Sequence, residues 1–340
     1  MKNTIGKRLA VSLTVTLGLV AICAADTGTP VKPGTPLARK GDEIMVCGQL
    51  FHTGAPVVLW TDPGGYDAYR VDRRFAPLEK ANWKETEKAG GVKTPNRYGA
   101  RTKGLSPEMV EKVRGGGWSI DELRDVVDQF VIHFDVCGTS KRCFQVLHDA
   151  RGLSVHFMLD VDGTLYQTLD LKEAAWHATI ANNRSIGIEI ANMGAYPKTG
   201  KNPFETWYAK DATGKTIMTI PGGLEKSGIR NPPSPIRPDR NDPVEGAVQG
   251  QNLVQYDLTP QQYETLAKLT ATLCTVFPKI KCDFPKDSDG NLIPKKLPDE
   301  AFRSYQGILG HYHVQTNKVD PGPAFQWDRL IREATSLMSR

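Results

Sequence analysis

The pattern that most constrains the fold begins at Ser119, where strand-like and helix-like segments start to alternate along the chain. Ser119-Ile120-Asp121-Glu122 has the form of a capping box, and Leu123, Val126 and Val127 give the following short helix one apolar face. Gln129 to Asp135 (QFVIHFD) then reads as a strand, followed by a helix from about Ser140 to Ala150. SVHFMLD (154–160), a turn at Asp162-Gly163 and TLYQTLD (164–170) together predict a hairpin. SIGIEIAN (185–192) is another strand; side chains alternate along it, so Ile186, Ile188 and Ile190 share one face and Gly187 and Glu189 the other. Thr259-Pro260 opens a helix with an N-cap Thr and Pro at its first position, carrying Tyr263, Leu266, Leu269 and Leu273 on one side. GILGHYHV (307–314) reads as a last strand and residues 323–338 as a closing helix. Strands interleaved with helices and including a hairpin predict a mixed α/β fold, with a single central mixed β-sheet flanked by helices.

The rest of the chain is organised around that domain, expected over 119–340. Lys2, Lys7 and Arg8 precede an uncharged stretch, Leu9 to Ala25, that ends in small residues. A basic start, an apolar middle and small residues at the end form a secretory signal peptide, with cleavage expected after Ala25. Seventeen residues containing several Ser, Thr and Gly make a poor membrane span, which takes about 20 strongly apolar ones. Cys23 leaves a lipoprotein reading open, with attachment to the outer membrane through a lipidated Cys23, although Ile22 is larger than the residue a lipobox prefers there. Residues 26–42 are rich in Pro, Gly and Thr and read as a linker. Residues 43–118 lack long periodicity apart from the short apolar run Val57-Val58-Leu59-Trp60, and read as an irregular N-terminal extension packed on the main domain. Residues 193–258 are dominated by Pro, Gly, Asn and charge and read as a long insertion; loops of that length inside a domain commonly serve as lids or binding loops.

Composition excludes several classes. With 24% charged residues and 39% hydrophobic ones among 340, the chain is neither disordered throughout nor a polytopic membrane protein. The net charge is +5, and three of those charges belong to the leader, which leaves +2 on residues 26–340. That is too little to indicate a nucleic-acid partner. In an oxidising compartment Cys137/Cys143 and Cys274/Cys282 are natural disulfide pairs, with Cys47 left over as a small buried residue.

The seven histidines differ in their surroundings. His133 lies inside an apolar strand, while His311 and His313 lie in the predicted last strand, a few residues before Lys318 and Asp320. Two histidines and one carboxylate drawn from separate segments would make an open zinc site, with a position left for water. No HExxH is present, so the helix-borne zinc hydrolase arrangement is absent. His52 and His148 have no supporting context.

Six motifs occur in order: VIHFD, SVHFMLDVDGTLYQ, AWHA, NNRSIGIEIAN, the Gly-His step at 310–311, and NKVDPGPAFQWD. In this combination the chain resembles the zinc-dependent N-acetylmuramoyl-L-alanine amidase family of the AmpD-like type, related to phage T7 lysozyme and to peptidoglycan recognition proteins. The resemblance covers roughly Phe130 to Leu330, apart from the insertion.

Position by position, the resemblance implies His133, His311 and Asp320 as the ligands of one Zn2+ per chain. His313 competes with His311, and in a strand the two would point the same way; the Gly-His step and the distance to Asp320 favour His311. Glu189 matches the acidic residue of the family's SIGIE strand and Lys318 the lysine two residues before the ligand aspartate. A carboxylate can pass a proton from water to a leaving amine, and a lysine can stabilise an oxyanion. His177 and Asn183 fall in motifs that could touch the sugar or peptide, and His156 reads as a core residue. The close pair Cys137/Cys143 has a counterpart in the recognition proteins, where a disulfide would brace the loop after the first ligand strand. The expected activity is hydrolysis of the amide between N-acetylmuramic acid and L-alanine in peptidoglycan by an exported monomer, periplasmic, envelope-associated or secreted. A non-catalytic peptidoglycan binder on the same fold and a zinc peptidase cutting within the stem peptide stay open as alternatives.

Overall fold

The computed structural model describes residues 32–90, 92 and 94–340, of which Arg39–Arg340 form one compact unit. The leader, including Cys23, lies outside the described residues. Among the described residues no helix is long and apolar enough to cross a membrane.

A six-stranded mixed sheet forms the centre. In spatial order its strands are Gly307–Gly310, Gln129–Phe134, Ser185–Ile190, Phe157–Leu159, Leu165–Gln167 and Val57–Leu59. The first four run parallel to one another, and Phe157–Leu159 and Leu165–Gln167 form the antiparallel hairpin expected from the Asp162-Gly163 turn. The three isoleucines of SIGIEI are buried in the main apolar cluster, against Leu266, Leu269 and Leu273 of the helix Pro260–Val276. That helix begins as its sequence predicts: Thr259 and Gln262 form a reciprocal capping box with Pro260 at the first position. Ser119 and Glu122 cap Ile120–Val126 in the same way.

Several expectations are corrected. The run GILGHYHV is a strand only over Gly307–Gly310, and His311–Val314 is a helical turn. Residues two apart in a helix are rotated by roughly 200°, so His311 and His313 do not point the same way. The helix after the His133 strand is α-helical over Ser140–Phe144 and continues as a π-helix over Gln145–Ala150. The closing helix starts at Trp327. The extension contributes more than packing, since Val57–Leu59 pairs with Leu165–Gln167 as the sixth strand.

The same extension sends Arg101 into the interior, fully buried. Its guanidinium donates to the carbonyls of Leu171, Asn182, Asn183 and Ser185. The insertion is not an open loop either. It holds a three-stranded sheet (Ala195–Pro197, Gln251–Gln255, Val244–Val248) and a two-stranded one (Tyr208–Lys210, Thr216–Met218). Phe204, Tyr208, Met218, Ile220 and Ile236 give it an apolar cluster that continues into Val161 and Ala191 of the main domain.

Arg101→Met should lower stability by roughly 3 kcal/mol, because two buried and two partly buried carbonyls lose their donor at once. Urea unfolding followed by circular dichroism measures this, and an unchanged midpoint would show that the extension is not fastened through Arg101.

Candidate metal centre

Parallel pairing brings the chemistry to one end of the sheet. The register sets His133 beside Glu189 and Ile132 beside Gly310, so the residue after Gly310 arrives next to His133. The chain then turns helical and returns through residues 315–320, where the Asp320 carbonyl accepts from the Tyr312 amide at 3.1 Å. Gly310 permits that return: a Cβ there would stand 2.6 Å from Cδ of Pro321.

His133, His311 and Asp320 therefore meet in the interior. His133 Nδ1 lies 2.9 Å from His311 Nδ1 and 3.0 Å from Asp320 Oδ2, and His311 Nδ1 lies 2.9 Å from the same oxygen. All three residues are buried. The outer nitrogens are engaged: His311 Nε2 meets Gln315 Oε1 at 2.7 Å, and His133 Nε2 meets His177 Nδ1 at 2.9 Å. An amide oxygen can only accept, so His311 carries its proton on Nε2 and presents a lone pair at Nδ1. With Nδ1 of His133 likewise turned inward, a proton on its Nε2 donates to His177 Nδ1, whose own Nε2 then donates to Ser185 Oγ at 3.2 Å. Ligating histidines are held this way by an outer partner.

The electrostatics agree with the placement. Burial, and next to it the adjacent His311 ring, pushes His133 down to about 4, favouring neutral imidazole. Burial alone would raise Asp320, but the His311 and His133 rings beside it hold its carboxyl well below the usual range. Two imidazole nitrogens and one carboxylate oxygen within 3.0 Å of one another fit a single divalent ion of the zinc type. The other grouping of potential ligands among the described residues is Asp42, Glu43 and His52. There the Glu43 carboxylate is occupied by the amides of Lys40, Gly41 and Asp42, as a loop clamp.

The three residues open onto a cavity of about 280 Å³ that Glu189 and Lys318 also line. Glu189 Oε2 is buried without a hydrogen-bond partner in the protein. Burial, followed by the nearby Asp320 and Asp135 carboxylates, raises Glu189 well above its ordinary value.

Other candidates fall differently. His313 belongs to the scaffold: Nδ1 accepts from the Gly310 amide at 2.8 Å and Nε2 donates to the Ile293 carbonyl at 2.8 Å. His156 is buried, accepting from the Gly187 amide and donating to the Glu173 carbonyl. His177 packs over Gly187, where a Cβ would come within 2.5 Å of its ring. Asn183 is not in this cavity; its side chain accepts from the Lys103 amide, and it lines a separate groove with Ile180 and Arg303. Cys137 and Cys143 are free thiols in side-chain contact, as are Cys274 and Cys282.

Sequence reading missed Gln315, Ser185 and Gln255. The first sits one helical turn after His311, a spacing visible only once residues 311–314 are known to be helical. Gln255 reaches from the insertion to donate to the Pro321 carbonyl at 2.9 Å and to accept from the Ala324 amide at 3.0 Å, so it clamps the loop that carries Asp320.

The sequence model of the N-acetylmuramoyl-L-alanine amidase family matches residues 123–323. Among curated proteins none matches the chain. Similar solved structures include a selenomethionine derivative of AmpD, at 16% identity and a TM-score of 0.32, with 70% of this chain and 89% of that one covered. Another is the endolysin N-acetylmuramoyl-L-alanine amidase LysCS from Clostridium intestinale, at 13% identity and a TM-score of 0.32, covering 63% of this chain and 86% of that one. A third is the amidase AmiD from E. coli in complex with the substrate anhydro-N-acetylmuramic acid-L-Ala-D-γ-Glu-L-Lys, at 17% identity and a TM-score of 0.33. It is covered over 57% of its length by 61% of this chain.

Gly187→Ala forces the His177 ring off its seat and should cost roughly 1–3 kcal/mol. Thermal unfolding measures the loss; a stable variant with an unmoved ring in its crystal structure would show that the close packing is not required.

Proposed function

Since the chain belongs to the N-acetylmuramoyl-L-alanine amidase family, we propose that it is an exported zinc enzyme hydrolysing the amide between N-acetylmuramic acid and L-alanine of peptidoglycan. The observation that carries this reading is the convergence of His133, His311 and Asp320 on a cavity that Glu189 and Lys318 also line. A cell-wall substrate accords with the leader-like segment Leu9 to Ala25 and with the near-neutral remainder of the chain. An oxidising compartment would let the touching free thiols of Cys137 and Cys143, and of Cys274 and Cys282, close as disulfides.

His133 and His311, with Nδ1 turned inward, and Asp320, with Oδ2 between them, would hold the ion. Zinc in such a site supplies Lewis acidity, lowering the pKa of water to roughly 7 and polarising a carbonyl. Glu189, level with His133 on the neighbouring strand, takes the proton of the attacking water and hands it to the departing amine of L-alanine. Its unpartnered oxygen is free to accept that proton. Lys318 donates to the carbonyl oxygen as negative charge develops there, a contribution of about 3 kcal/mol to the barrier. His177 serves His133 rather than the substrate, fixing the ring so that Nδ1 faces inward.

Glu189→Gln should keep zinc and lose roughly 10²–10⁴-fold in kcat, because an amide cannot take the proton; near-wild-type turnover would sink the mechanism. His177→Ala should weaken zinc binding roughly 10–100-fold in competition with a colorimetric chelator, and unchanged affinity would return His177 to a substrate or packing role. Mass spectrometry of digested peptidoglycan tests the activity itself. Intact stem peptides beginning at L-alanine support the amidase, whereas shortened peptides would indicate a peptidase and an undigested wall a binder.

A further inference from the structure

A second cavity, of about 800 Å³, adjoins the metal cavity and shares Asp135, Val136, Cys137, Val146 and Arg151 with it. Its opposite wall belongs to the insertion, through Met193, Trp207, Ile220 and Lys226. Trp207 is seated there on Gly138, where a Cβ would come within 2.5 Å of the indole. The left-handed backbone at Gly138, with φ of 74°, suits glycine as well.

The charges of this cleft are one-sided. Lys141, Arg142, Arg151 and Lys226 line it, and none of them is ion-paired among the described residues. Where Lys141 and Arg142 donate hydrogen bonds, the acceptors are neutral: the Lys226 carbonyl and the Gln145 amide oxygen. Elsewhere in the insertion cations do find carboxylates, as in Lys210 with Asp242, Arg237 with Asp211 and Arg240 with Asp257. One acidic residue reaches the lining, Asp135. Its Oδ1 is turned to the backbone, accepting from the amides of Cys137, Gly138 and Asn192. It forms no ion pair with any of the four cations.

We propose that this insertion-built cleft is an anion-binding extension of the active site, and that it takes the free carboxylates of an acidic stem peptide downstream of the cleaved amide. The inference rests on the amidase reading above and names the part of the substrate that the insertion recognises. A γ-linked glutamate keeps its α-carboxylate free, and the peptide terminus supplies another. Lys141, Arg142 and Arg151 on one wall, and Lys226 beside Trp207, Met193 and Ile220 on the other, match a chain that alternates carboxylates with aliphatic stems. A neutral glycan strand would leave these cations without partners.

The test compares wild type with the double variant Arg142→Ala/Lys226→Ala, both exposed positions. Two muropeptides are used, one with free glutamyl and terminal carboxyls and one with both amidated. The variant should lose roughly tenfold in kcat/KM on the free-carboxyl substrate and less than about twofold on the amidated one. Added salt should reproduce that selective loss in the wild type. Equal losses on both substrates, or none on either, overturn the proposal. Calorimetry with the tripeptide L-Ala-γ-D-Glu-L-Lys separates this from the amidase reading. If wild type hydrolyses neither substrate, that reading fails, while about tenfold weaker tripeptide binding by the variant still supports the cleft and equal binding overturns it.

Discussion

Everything at the active end of the fold depends on the parallel pairing of three strands, those carrying His133, Glu189 and Gly310. Parallel strands in register finish at the same edge, so residues about 180 positions apart in sequence come within hydrogen-bond distance. The order of a buried cluster of imidazoles and a carboxylate then rests on what holds each ring from behind. Gln315 and His177 do this, each engaging the outer nitrogen of one ring so that its Nδ1 faces inward. A buried polar cluster lacking such partners would cost stability and lose its geometry.

Glycine keeps this edge open. Gly187 leaves room for the His177 ring, Gly310 for the returning Pro321, and Gly138 for Trp207. Each of these glycines lies within two residues of a side chain that lines the cavity, and the space each leaves is filled by a group from another segment. The SIGIE strand shows the division of labour: its isoleucines are buried in the apolar cluster shared with the helix Pro260–Val276, while the opposite face carries the Ser185 hydroxyl, a glycine hydrogen and the Glu189 carboxylate, which is where chemistry can be placed.

Much of this was legible in the sequence, for physical reasons. The capping boxes at Ser119 and Thr259, the Asp162-Gly163 hairpin and the alternation in SIGIEIAN are local signals, and the structure follows them. The expectation for His311 and His313 was wrong about their conformation because an apolar run of eight residues does not reveal where a strand gives way to a helical turn. Asn183 falls in a motif that could touch the sugar or peptide, yet its side chain accepts from the Lys103 amide outside the metal cavity. The insertion looked structureless because its strands are short and its apolar residues pack against Val161 and Ala191, partners that no local window contains. Arg101, a charge in an irregular stretch, gave no sign that it would be buried.

The clamp made by Gln255 has a consequence for how this domain can vary. One side chain at the end of the insertion joins Asn192, Pro321 and Ala324, and so ties the root of the insertion to the loop that presents Asp320. The two-stranded sheet and the Trp207 wall lie outside that knot, whereas excising the whole segment would release the loop that presents Asp320. The wall at Trp207 and the fastening of the Asp320 loop thereby fall to different parts of the same 66-residue stretch, residues 193–258, so that sequence can drift at one while the other is kept.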